Sequence, residues 1–162
     1  LRDPHDLSCQ RGLPGIGESI HDVARFIDRK IAESGAREVR FVGSSMSGHA
    51  ALHLCALVGK GRVFAFSPRI ATVEAESGGV AMRSSATDKS PNHLGDLPAW
   101  LRANAPELGA DIYISPDRPD DMDYARAVEG FRNVRIHRLQ TDGYLAIVGA
   151  HRLGVLKTIL AQ

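Results

Sequence analysis

A three-layer α/β domain with a mostly parallel sheet follows from three features of the sequence. Short apolar runs of strand length alternate with segments of helical period, the pattern of βαβ units. Gly and Pro fall at the joins, at Pro14-Gly15, Gly35, Gly59, Ser90-Pro91, Gly109, Ser115-Pro116 and Gly143. The 162 residues, 43% hydrophobic and 24% charged, suit one globular domain over 1–162.

Residues 20–31 place Ile20, Val23, Ala24, Ile27 and Ile31 on one helical face, with Asp22, Arg25, Asp28, Arg29 and Lys30 opposite and Gly35 as the stop. A short strand is expected at 39–42. A second helix follows at 47–58, small and apolar on most sides and stopped by Gly59, and then a strand at 63–66. The pattern weakens between 70 and 109. Ser77-Gly78-Gly79, Ser84-Ser85 and Ser90-Pro91-Asn92 are loop chemistry, so an irregular, lid-like insert is expected there, with one short helix at 97–103 around Trp100. Periodicity returns with a strand at 112–114, a short helix at 122–128, a strand at 134–139 and a last helix at 153–160. That helix is expected to put Leu153, Leu156 and Leu160 on one face. Leu1 is read as a possible strand tail. There is no internal repeat or low-complexity tract.

Twenty basic against nineteen acidic residues leave a formal charge of +1, without the basic excess of a dedicated nucleic-acid binder. No stretch approaches the ~18 apolar residues of a membrane span. Cys9 and Cys55 have no C-x-x-C spacing and are expected to be reduced thiols in a cytoplasmic protein. Leu1 is not Met and no signal segment precedes it, so a processed or truncated chain is expected. Oligomeric state is not legible.

The chemistry concentrates in Val39-Arg40-Phe41-Val42-Gly43-Ser44-Ser45-Met46-Ser47-Gly48-His49-Ala50-Ala51-Leu52, a glycine-bracketed turn between a strand and a helix. A phosphate loop would fit the spacing of Gly43 and Gly48, but His49 and Ala50 stand where Lys and Ser/Thr are required. A nucleophile elbow fits better. Centred on Ser45, the turn reads G-x-S-x-S, with small residues two before and two after the serine and Gly48 directly following. The Met46 amide, at the helix start, would then be one oxyanion-hole donor. Gly15-Ile16-Gly17 lacks the third glycine and the preceding strand of a dinucleotide fingerprint.

This segment, continued by Val-Phe-Ala-Phe-Ser-Pro at 63–68, resembles the α/β-hydrolase superfamily, and within it small bacterial esterase-like proteins, some associated with polysaccharide genes. Arg2-Asp3-Pro4 and Gly12-Leu13-Pro14-Gly15 are also similar to that group, and the likeness weakens after Arg69. The resemblance implies a serine esterase with a triad in the order Ser, acid, His, and needs no cofactor or metal. Its second oxyanion donor would come from the loop after an early strand, here near Arg2 and Asp3.

By position after the 112–114 strand, Asp117 is the natural acid, with Asp121 a competitor carried by the following helix and Asp120 third. Each has an ordinary alternative as a helix cap or loop carboxylate. Among the seven histidines, His151 stands after the last strand and before the last helix, the place of the general base. His137 alternates within a strand. His49 and His53 lie four apart and would share a metal only with a third ligand, which is not evident. His5 and His21 have no partner pattern, and His93 lies in the insert. The expected substrate is a small acyl ester or acylated sugar, and neither nucleic acid nor membrane is invoked. Two alternatives stand beside the esterase: an acyltransferase acting on a sugar hydroxyl, and a degenerate hydrolase fold used as a binding module.

Overall fold

Four strands run parallel in the order in which they occur along the chain: β1 (Arg40–Ser44), β2 (Arg62–Phe66), β3 (Ala110–Ile114) and β4 (Val134–Arg138). They belong to a computed structural model that describes residues 8–69, 97–141 and 145–161. The register pairs Ser44 with Phe66, Phe66 with Tyr113 and Tyr113 with His137, so the carboxyl ends of all four strands reach one level. Among the described residues six helices accompany them: α1 (Ile20–Ser34), α2 (Met46–Val58), α3 (Leu97–Asn104), α4 (Pro119–Val128), α5 (Ala146–Arg152) and α6 (Val155–Ala161).

Parallel neighbours need crossovers, and crossovers are right-handed. A sheet ordered 1-2-3-4 therefore sends α2, α3 and α4 to one face. There Phe41, Val63, Ala65, Ala110, Ile112 and Ile114 pack with Val23 of α1, Leu52 of α2, Leu101 of α3 and Tyr124 of α4. The other face carries Phe66 and Tyr113 under Ala146 and Ala150 of α5 and Ile159 of α6. Helices on both sides of the sheet make the three layers. β3 is buried at all five positions, as an inner parallel strand must be, whereas edge strand β4 exposes Arg135 and Arg138.

Local chemistry explains the element ends. Ser19 caps α1 by accepting from the Asp22 amide, and Gly35 at φ 64° closes it. α2 is buried from Gly48 to Cys55 because it lies between the sheet, α1 and α3.

Three expectations change. The helix around Trp100 forms as α3 and puts Leu97 and Leu101 into the main core, so the end of the expected insert is structural; its remainder, 70–96, lies outside the described residues. Residues 146–152, read as a connection, form α5. Gly154 at φ 74° then separates α5 from α6, so the last helix begins at Val155, and Leu153 and Leu160 are exposed while Ile159 is buried. The position argument for Leu1 lies outside the described residues.

Candidate active site

At the end of β1 the chain turns straight into α2, and the turn is tight because two side chains are missing. A methyl group at Gly43 would lie 2.2 Å from the Ser47 carbonyl oxygen, and one at Gly48 would lie 3.2 Å from both the Gly43 oxygen and the Pro68 Cβ. The Ser47 side chain is exposed, so the serine that replaces glycine in the G-x-S-x-G pattern does not crowd the turn.

Ser45 sits at the apex with φ 54° and ψ −124°, a conformation that a residue with a side chain adopts at a cost of about 1–3 kcal/mol. Its surroundings over-determine that conformation. The Ser45 amide donates to the Phe66 carbonyl at 2.9 Å, and the Ser45 carbonyl accepts from the amides of Gly48, His49 and Arg69. The Ser45 hydroxyl makes no capping bond, and Met46, the first residue of α2, has an amide with no intrahelical acceptor. A serine oxygen held up on strained backbone beside a free helix-terminal amide is what nucleophilic attack on a carbonyl needs.

The carboxylates after β3 separate into two roles. Asp121 is 3% exposed, and its Oδ2 accepts from Ser67 Oγ at 2.6 Å and from the Ser115 amide at 2.7 Å, with Arg118 Nε at 3.5 Å from Oδ1. Ser67 Oγ in turn accepts from the Ala146 amide at 2.8 Å, and Thr141 Oγ1 donates to Ser115 Oγ at 2.5 Å. This buried network clamps the carboxyl ends of β2 and β3 to the connection after β4 and to the start of α5. Asp117 is exposed and accepts from Gln140 Nε2 at 2.8 Å. Asp120 is exposed on the first turn of α4.

His151 is not in a connecting loop. It occupies the last turn of α5 and is exposed, about 7.5 Å along the helix axis from Ala146, and no hydrogen bond joins it to Ser45, Asp117 or Asp121 among the described residues. Residues 139–145, between β4 and α5, contain no histidine. The structure thus brings Ser45 and Met46 together, places Asp117 and Asp121 beyond β3, and leaves His151 on a solvent-facing turn.

Of the other histidines, His137 stacks on Tyr113 with ring centres 4.5 Å apart and holds Asp111 at 2.8 Å, while Arg62 binds the other oxygen of Asp111 at 2.6 Å. Burial alone would raise Asp111, but the bonds from Arg62 and His137 outweigh it and hold the carboxyl below its usual range. His49 and His53 are buried in α2, and among the described residues no group of three or more His, Cys, Asp or Glu is disposed to hold a metal. Sequence reasoning missed Ser67, Ser115, Thr141 and Gln140 as a group. The available signal was the repeated Ser-Pro step, Ser67-Pro68 and Ser115-Pro116, directly after two neighbouring strands.

No protein-family profile matches the chain, and no curated protein matches it in sequence. Among solved structures it is similar to MGS-MChE2, an α/β hydrolase enzyme from the metagenome of sediments from the lagoon of Mar Chica, Morocco. The TM-score is 0.50 at 14% identity, covering 87% of this chain and 68% of that one. The likeness is one of fold.

Proposed function

We propose that the chain is a serine hydrolase that cleaves an ester through an acyl-enzyme on Ser45. The observation that carries this reading is Ser45 itself, a strained, over-determined serine on a strand-to-helix turn, in a fold similar to that of a known α/β hydrolase. In this mechanism Ser45 Oγ attacks the carbonyl carbon and the Met46 amide receives the developing oxyanion. Asp117 is the acid, because Asp121 is buried with its Oδ2 already held by Ser67 Oγ and the Ser115 amide in the clamp. His151 is the base by chain order. The substrate is a small acyl ester or acylated sugar, with water as acceptor; a sugar hydroxyl as acceptor uses the same acyl-enzyme. Two buried cysteines not joined in a disulfide, Cys9 and Cys55, support a reducing, cytoplasmic setting, and no helix among the described residues is long and apolar enough to cross a membrane.

A fluorophosphonate probe, mapped by peptide mass spectrometry, tests the nucleophile. The expected adduct is on Ser45 and is absent from Ser45→Ala; a folded protein that takes no label overturns the reading. The exposure of His151 favours a second reading, a hydrolase fold kept for binding. Turnover of a short-chain nitrophenyl ester separates the two. Loss of at least about a hundredfold in His151→Ala supports the hydrolase with this base. Absent turnover in a wild-type protein that still binds acyl compounds supports the binding module.

A further inference from the structure

We propose that His53 is an acid-released latch that fastens residues 8–17 to α2 and α3. Ser8 Oγ donates to the Met46 carbonyl at 3.3 Å, and Gln10 Nε2 donates to His53 Nδ1 at 3.1 Å, so the start of the segment is tied to α2 at two points. Ser8 and Cys9 carry φ of 54° and 64°, backbone that does not hold itself there unaided. The His53 ring is 0% exposed and meets the Trp100 ring edge-on, centres 4.9 Å apart. One imidazole therefore touches the 8–17 segment, α2 and α3 at once.

Its hydrogen bonding suits only the neutral ring. An amide nitrogen donates, so Nδ1 is bare and Nε2 carries the proton, and Nε2 has no partner among the described residues. A proton on Nδ1 sets two donors face to face. Rotating the Gln10 amide offers Oε1 instead, yet a full charge and the unpaired Nε2–H stay buried. Among the described residues, the charges that act on the ring are His49 from α2 and His21 from α1, and both repel it when protonated. The 8–17 segment adds the buried Cys9 thiol, and α3 adds uncharged Trp100. Burial, then repulsion from His49 and His21, pushes His53 down to about 3; burial pushes His49 down to about 4.

The ring takes a proton only when uncovered; α2 packs elsewhere on β1, β2 and α1, and the 8–17 segment covers the ring through the Gln10 bond to its Nδ1. The segment is therefore released with proton uptake. Each pH unit below the free-imidazole value of about 6.5 raises the opening constant about tenfold. Release also frees the Met46 carbonyl, one peptide from Ser45, so the latch acts on the elbow whether the elbow catalyses or only binds.

Hydrogen–deuterium exchange of residues 8–17 between pH 7.5 and 4.5, corrected for intrinsic rate, reads the opening, with emission from the single tryptophan, Trp100, as a second signal. The expected result is protection falling about tenfold per pH unit below 6.5 while β2 and β3 stay protected. Constant protection, or simultaneous loss across the sheet, overturns the proposal. Gln10→Glu gives the imidazolium a counter-ion and should raise protection at pH 5 about tenfold over wild type, whereas a purely structural Gln10 predicts a loss at every pH. His53→Gln should abolish the dependence; an unchanged slope in the folded variant refutes the latch.

Discussion

The two strand-to-helix joins at opposite edges of the sheet are built differently. At β1–α2 the turn is fixed by what its own residues lack: a methyl group at Gly43 or Gly48 runs into backbone a few residues away. At β4–α5 the helix start is fixed from far off, by Ser67 Oγ accepting from the Ala146 amide across 79 positions and by a close approach that puts a methyl group on Gly149 2.7 Å from Thr141 Cγ2. The first join is set by local sterics and braced by the bonds of Ser45 to Phe66 and Arg69, the second by a hydrogen-bonded clamp assembled by tertiary structure. Short-range sterics place a serine reliably. A long-range clamp places everything after it, His151 included.

Acid should act hardest on the first join. His49 and His53 are neutral in the fold, with values near 4 and 3 against 6.5 when unfolded. The unfolded chain therefore binds more protons, so stability is intact above about pH 6.5 and is lost as pH falls toward 4. At pH 5 the pair should have cost about 4 kcal/mol, measured by urea denaturation against pH 7.5, and a flat profile would mean the rings are hydrated. Gly43→Ala should cost about 3 kcal/mol by the same assay and remove Ser45 labelling; a neutral outcome would show the turn is looser than described. On the clamp side, Ser67→Ala deprives Asp121 of a buried donor and should cost about 2 kcal/mol. Replacing exposed Ser47 by Gly, the residue the elbow pattern prefers, should lower stability by less than about 1 kcal/mol and leave labelling unchanged. A large gain in labelling would show that Ser47 does crowd the turn. His151→Ala should stay within about 0.5 kcal/mol of wild type, which makes any loss of turnover a chemical effect.

The same contrast explains what the sequence made legible. Parallel β1 to β4, the tight β1–α2 turn and the helix around Trp100 follow from alternation, glycine placement and apolar period, all short-range signals. Nothing within residues 139–153 announced α5, because its capping acceptor is Ser67. The expected face of Leu153, Leu156 and Leu160 failed for a related reason: Gly154 restarts the helix and rotates Ile159 inward. Spacing from the strand end favours Asp117 over Asp121 but names no partner for either. The structure supplies the partners, Ser67 and Ser115 for Asp121 and Gln140 for Asp117.

The strand order carries a consequence for synthesis. Among the described strands each new one adds beside the one made just before it, and each crossover helix settles on the same face, so the sheet is able to grow as the chain emerges, from β1 outward. One bond waits for the end. Arg40, the first residue of β1, donates to the Ile159 carbonyl in α6, 119 positions later, at 2.8 Å. Until α6 arrives, the face of the sheet bearing Phe66 and Tyr113 is covered only in part, by α5, and a nascent chain paused before Ile159 presents the rest of that apolar face to whatever chaperone is nearby.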